Sequence, residues 1–152
     1  MNSTPRYVAP GRSTTLLNRA VAGLARAGIS VWGSRILAVR GRTSGQWRTV
    51  PVNLLVHDDA RYLVAPRGHT HWVRNLRAAG GGELRLGRRV EEFSATELPD
   101  DEKVAVLRAY LRRWKIEVGV FFDGVDADAS DAELRRIAPD HPAFRITSDV
   151  PR

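Results

Sequence analysis

The sequence predicts an α+β domain built on a small, mostly antiparallel β-barrel with flanking helices. Three observations carry the prediction. Short apolar runs recur between tight turns at Ser44-Gly45, Asp58-Asp59 and Gly87-Arg88, the spacing of antiparallel hairpins. Segments of helical periodicity are few, and they fall between hairpins or groups of strands, where they can cover the openings and flanks of a barrel. The length of 152 residues fits one domain, 1–152, with a sizeable core.

The elements follow in order. Residues 1–12 read as a mobile tail. A helix over 13–28 starts at Ser13 or Thr14 as N-cap, carries Leu17, Val21 and Leu24 at helical spacing, and stops at Gly28. It either packs on the core or lies on a membrane surface; its narrow apolar face favours packing. Strands are expected over Ser34–Arg40 and Arg48–His57, the second with Val50, Val52, Leu54 and Val56 on one face. Pro51 cannot donate to a ladder and belongs at an edge or a bulge. A third strand runs from Arg61 to Ala65, and Pro66-Arg67-Gly68 ends it.

Thr70 is placed to cap a helix over His71–Ala79 with Trp72, Leu76 and Ala79 on one face, Asn75 near that face, and Gly80-Gly81-Gly82 as its stop. A second hairpin joins Glu83–Leu86 to Arg89–Ala95. Asp100-Asp101-Glu102 suits the positive end of a helix dipole. That helix runs to about Lys115, burying Val104, Leu107, Leu111 and Trp114, with Arg108, Arg112 and Arg113 as outer or C-terminal charges and Tyr110 packed on the helix. The segment 116–122 is apolar and fits no single class. Ser130 and Glu133 form a capping box for a last helix that ends before Pro139, and Ala143–Thr147 reads as a closing strand.

Composition narrows the chemistry. With 43% hydrophobic and 27% charged residues the chain is globular. It has no cysteine, which excludes disulfides, thiolate metal sites and a cysteine nucleophile, and which is compatible with the cytosol. The formal net charge of +7 attracts acidic partners: nucleic acid, an anionic membrane surface, or a phosphorylated or polycarboxylate ligand. No apolar run is long enough to span a bilayer, and the N-terminus does not read as a signal peptide. His57, His69, His71 and His141 lack ligand spacing, so no metal is expected. There is no nucleophile elbow and no Walker sequence. The glycine run ends a helix and precedes a strand, the reverse of a dinucleotide fingerprint. The turn at 40–48 combines Arg40, Arg42 and Arg48 with Thr43, Ser44 and free amides. It can hold an anion, or it can be a solvated hairpin tip. Nucleic-acid binding through the basic hairpins with Trp47 and Trp72 is a rival, although no known recognition motif is present.

The run Gly41-Arg42-Thr43-Ser44-Gly45-Gln46, followed by Arg48 and Pro51, has a later companion in Val64-Ala65-Pro66-Arg67-Gly68 and Trp72-Val73-Arg74-Asn75-Leu76. Together they resemble the deazaflavin-dependent nitroreductase family of the flavin/deazaflavin oxidoreductases. The resemblance is strong over roughly 35–93 and looser through Pro142-Ala143-Phe144-Arg145-Ile146. It implies a split β-barrel, a homodimer, and the cofactor F420, a deazaflavin with a phosphate and an acidic glutamate tail; FMN is the alternative. It also implies roles. Arg42 and Arg48, with Thr43, Ser44, Gly45 and the turn amides, would hold the phosphate and tail, and Pro51 belongs to the same set. Val64, Ala65, Pro66, Arg67 and Gly68 would line the ring and linker, and Trp72 and Asn75 would close the groove. Trp72 can at the same time be a core residue of its helix.

The implied reaction is hydride transfer from reduced deazaflavin to a small-molecule acceptor: a quinone, a nitro compound or an activated alkene. A non-catalytic F420 carrier is the alternative. No catalytic residue is nominated. Asn53, Phe121 and Phe122 are the candidates for the substrate side. Thr43 stands where many relatives carry lysine or arginine, and Arg40 could supply the lost contact. The cytoplasm is the expected location, with membrane contact conceivable only through the N-terminal helix.

Overall fold

The computed structural model describes residues 34–118, 122 and 124–148. The tail at 1–12, the helix over 13–28 and Phe121 lie outside the described residues. Within them every expected element is present: strands β1 (Ser34–Arg40), β2 (Trp47–His57) and β3 (Ala60–Val64), helix α1 (His71–Ala79), strands β4 (Gly81–Leu86) and β5 (Arg89–Glu97), helices α2 (Lys103–Val118) and α3 (Asp131–Ile137), and strand β6 (Ala143–Ser148). The strands pair antiparallel in the order β1-β2-β3-β6-β5-β4 and close into a barrel.

Turn chemistry sets the hairpins. Asp58 and Asp59 both have positive φ, 49° and 61°, the twist that a two-residue β2–β3 turn needs. Gly80 takes φ 74° and ends α1. The next glycines answer a different demand. A Cβ on Gly82 would lie 2.5 Å from the Ala38 carbonyl oxygen, so a side chain there would push apart the β1 and β4 backbones that close the barrel. Pro51 pairs with Ile36 of β1, while β3 joins β2 only from Leu54 onward. It therefore sits where β2 has one neighbour, the edge position that its missing N–H requires.

Strand alternation divides the apolar residues between two cores. Leu37, Leu63, Leu84, Phe93 and Phe144 fill the barrel interior, and Val73 and Leu76 of α1 pack against them. Ala79 is exposed and Val73 takes the place expected for it on the buried face. Arg35, Arg61 and Glu91 continue the inward rows of Leu37, Leu63 and Phe93. Arg61 grips Glu91 with both prongs of its fork. Burial, first of all, lowers the pKa of Arg35; Glu91 opposes this and Arg61 and Arg89 add to it.

The second core lies outside the barrel wall. Leu107, Leu111, Trp114 and Leu134 of α2 and α3 cover Leu55, Val64 and Ala143. The Tyr110 ring tilts against Trp114 at 4.9 Å and against Phe122 at 6.3 Å. A single 3-10 turn, Asp100–Glu102, leads into α2, and the helix kinks at Trp114. Ser130 caps α3 by accepting from the Glu133 amide at 3.2 Å. Arg108 is not the outer charge that its spacing suggests. Its guanidinium donates to the Ala127 and Ala129 carbonyls at 2.6 and 2.8 Å and to Asp131 at 2.7 Å, fastening the connection before α3 to α2. Lys103, buried, donates to Ala138 O at 2.8 Å and pairs with Asp100 at 2.9 Å. Among the described residues no helix is long and apolar enough to cross a membrane.

Candidate functional site

The turn between β1 and β2 is folded by its own backbone. Gly41 N donates to Gln46 O at 2.8 Å and Gly45 N to Gly41 O at 2.9 Å. Gly45 supplies the positive φ, 71°. Ser44 Oγ accepts from Gln46 N at 3.2 Å. A Cβ on Gly41 would come within 2.8 Å of that Oγ, so glycine leaves the hydroxyl its place. Among the described residues the amides of Thr43 and Ser44 meet no acceptor. Two donors and an unspent hydroxyl hydrogen thus remain at the tip.

The structure brings the two sequence motifs together. Asn75 of α1, buried, accepts at Oδ1 from Arg42 N at 3.1 Å and from Arg42 Nη1 at 2.7 Å. His71 Nδ1 lies 3.4 Å from Arg42 Nη2; a guanidinium only donates, so the imidazole nitrogen accepts. Arg48 shares a strand face with Val39 and Val50, its Cγ lies 3.7 Å from where a Gly41 Cβ would be, and its guanidinium meets no acceptor among the described residues. Arg40 is committed elsewhere. It donates to Gly45 O at 3.2 Å and lies 4.1 Å over the Trp47 ring, with Arg85 at 5.3 Å from the same ring. It lies with Trp47 on the strand face opposite Arg48.

The second motif forms a braced loop. Ala65 N donates to Pro142 O, Gly68 N to Ala65 O and Thr70 N to Gly68 O. Gly68 has φ 91°, and Val64, Ala65 and Gly68 are buried while Pro66 and Arg67 are half-buried. Thr70 occupies the N-cap position, yet its side chain makes no cap bond and its buried Oγ1 has no partner among the described residues. His69 Nε2 donates to Pro139 O at 2.9 Å and Nδ1 accepts from Arg77 at 3.1 Å. Arg77 forks onto Glu97 at 2.7 and 2.6 Å. Those bonds hold the Glu97 carboxyl below the usual carboxylate range, with burial opposing and the charges of Arg77 and Lys103 assisting; in return Glu97 raises the pKa of Arg77. Half-buried Trp72 tilts against Phe144 at 6.1 Å.

Other expected residues fall away from this corner. Pro51 and Asn53 pair with Ile36 and Ser34, which puts them on the strand face opposite Arg48, on the same side as Arg40 and Trp47. Phe122 is fully buried in the outer core, stacked on His141 at 4.1 Å, and has no surface to offer a substrate. The apolar pull of α2 accounts for its place. A cavity of about 480 Å³ opens between the end of β2, α2 and α3, lined among others by His57, Arg112, Asp131 and Arg135; none of its lining residues belongs to the turn or to α1. Sequence reasoning missed His71 as a partner of Arg42. Its signal was present: His71 and Asn75 are one helical turn apart and share a face.

A family model described as F420H(2)-dependent quinone reductase matches residues 12–128. The chain belongs to that family. It is an F420-dependent oxidoreductase, with F420H2 as the hydride donor that the family name specifies. Solved structures share the reductase's fold. An F420-H2 dependent reductase, FDR-A, is 18% identical with a TM-score of 0.53, over 76% of this chain and 94% of its own. A protein described as a domain-swapped dimer is 17% identical with a TM-score of 0.56, over 88% and 95%. A conserved hypothetical protein from Mycobacterium tuberculosis is 15% identical with a TM-score of 0.54, over 97% and 87%. No curated protein matches the reductase.

Proposed function

We propose that the reductase passes hydride from F420H2 to small electron-poor acceptors, quinones first and nitro compounds or activated alkenes with them, and that the corner formed by the β1–β2 turn and α1 holds the acidic part of the cofactor. The observation that carries this reading is the Asn75–Arg42 contact, which joins two distant motifs into one cationic corner. The donor set fits a phosphate and carboxylates: the remaining N–H groups of Arg42, the Arg48 guanidinium, the Thr43 and Ser44 amides, and the Ser44 hydroxyl. Thr70, which follows the Arg67-Gly68 loop in the chain, keeps a buried Oγ1 with no partner among the described residues.

When bound, F420H2 supplies the hydride from its reduced deazaflavin ring. The protein's own part is to orient that ring and to exclude water from it. The loop 64–68 and Trp72 are assigned the ring and linker, and the basic corner anchors the tail. Pro51 and Asn53, on the opposite face of β2, belong to the acceptor side or to neither. A homodimer and a cytoplasmic location complete the proposal. The neighbour described as a dimer supports the first, and the lack of cysteine suits the second.

Titration of purified protein with F420, followed by tryptophan quenching, tests the reading. Binding is expected, and Arg42→Ala and Arg48→Ala should each weaken it about 10- to 100-fold, roughly 1.5–3 kcal/mol for a charge-assisted hydrogen bond. Binding of FMN but not of F420 would sink it. Reoxidation of F420H2 on adding a quinone, and its absence with nitro compounds or alkenes, would narrow the acceptor class.

A further inference from the structure

Asn75 stands on α1 between Val73 and Leu76, both packed into the barrel interior, and is itself 5% exposed. The core therefore fixes where its amide sits. Its Oδ1 receives the backbone N and the Nη1 of one residue, Arg42, 33 positions away. Both partners can only donate, so the carbonyl branch of the amide must face them. A carbonyl oxygen has two lone pairs, and both are in use. What remains of Asn75 is its amide nitrogen. One helical turn earlier, His71 Nδ1 accepts from the other fork of the same guanidinium at 3.4 Å. An arginine has five N–H donors; the helix holds two, Nη1 and Nη2 giving one each, and three stay available from a guanidinium whose place is already set.

We propose that Asn75, assisted by His71, is a positioning residue: it presets Arg42 for an anion and makes no direct contact with the cofactor. This rests on the reading of the corner as the site of the acidic part of F420, and it revises the direct contact that the family resemblance implies for Asn75. An unclasped arginine must give up its rotamer freedom when it binds, whereas a clasped one has given it up on folding. The turn gains as well, because the bond to Arg42 N orders the segment that carries the Thr43 and Ser44 amides.

A double-mutant cycle on the full chain decides it, with F420 affinity as the readout. Asn75→Ala should weaken binding about tenfold in the wild-type background and about twofold or less in the Arg42→Ala background. Equal losses in both backgrounds would mean that Asn75 touches the ligand itself and would overturn the proposal. Asn75→Asp is the second variant, and it decides the matter if Asn75→Ala does not fold. It keeps the acceptor, so the Arg42 amide should stay as slow to exchange as in the wild type. Its charge neutralises Arg42, so affinity should fall and its salt dependence should flatten. Wild-type affinity in Asn75→Asp, or a fast-exchanging Arg42 amide in the wild type, overturns the proposal. If the wild type binds no F420, the reading of the corner fails separately. The same cycle is then run on inorganic phosphate, where coupling upholds the clasp and its absence, or no phosphate binding, ends it.

Discussion

Arg108 and Arg42 are alike in chemistry and opposite in use. Arg108 lies half-buried against the helical shell, and its guanidinium is spent on two carbonyls and a carboxylate. Arg42 lies on an exposed turn and gives its helix two donors, keeping three. The shell region answers its own polar groups; the corner region leaves donors unanswered in a fixed arrangement. Net positive charge does not separate the two. The supply of acceptors around each guanidinium does. Arg61 and Arg77, forked onto Glu91 and Glu97, side with Arg108.

The contrast can be broken from either side. The largest effect is expected in the shell: Leu111→Ala, at a fully buried site, should cost about 2–5 kcal/mol of stability by urea denaturation. Arg108→Ala should come next, about 1.5–3 kcal/mol, with F420 affinity unchanged in protein that remains folded. Arg42→Ala should do the reverse: it costs less stability than Arg108→Ala, about 1 kcal/mol for the one side-chain bond to Asn75, while cofactor affinity falls. A stability loss from Arg42→Ala as large as that from Arg108→Ala, or an affinity loss from Arg108→Ala, would erase the distinction.

The smallest effect concerns pH. The Glu97 carboxyl has a lowered pKa when folded, so its contribution is present above the unfolded glutamate value, near about 4.3, and is lost as pH falls through the folded value. Glu97→Gln should therefore lower stability by about 1 kcal/mol at neutral pH, allowing for solvent screening of a pair that is about one third exposed. The gap between wild type and variant should close in acid. A gap that persists at low pH would assign the effect to packing instead.

The barrel was legible because its signals are local. Alternation in 50–54, the turn at Asp58-Asp59 and the Ser130 cap each lie within a few residues, and each element formed where the pattern put it; Val56, expected to continue the apolar face, is exposed at the strand's end. The corner was half legible. The turn and α1 could each be singled out, but the bond from Arg42 to Asn75 spans 33 positions and leaves no mark in either segment. Arg108 was misread for the same reason: its carbonyl partners, at Ala127 and Ala129, become neighbours only when the segment before α3 folds back onto α2. Phe122 was read without the aromatic cluster that claims it.

Pro51 has a consequence for assembly. Residues 47–53 of β2 have β1 on one side and no strand on the other among the described residues. Such a free margin is where a second chain could dock as an added strand and continue into an open-ended stack. A proline in the middle of that margin offers no N–H, so a docked strand would meet a missing rung. A strand added along that margin would therefore start one backbone hydrogen bond short.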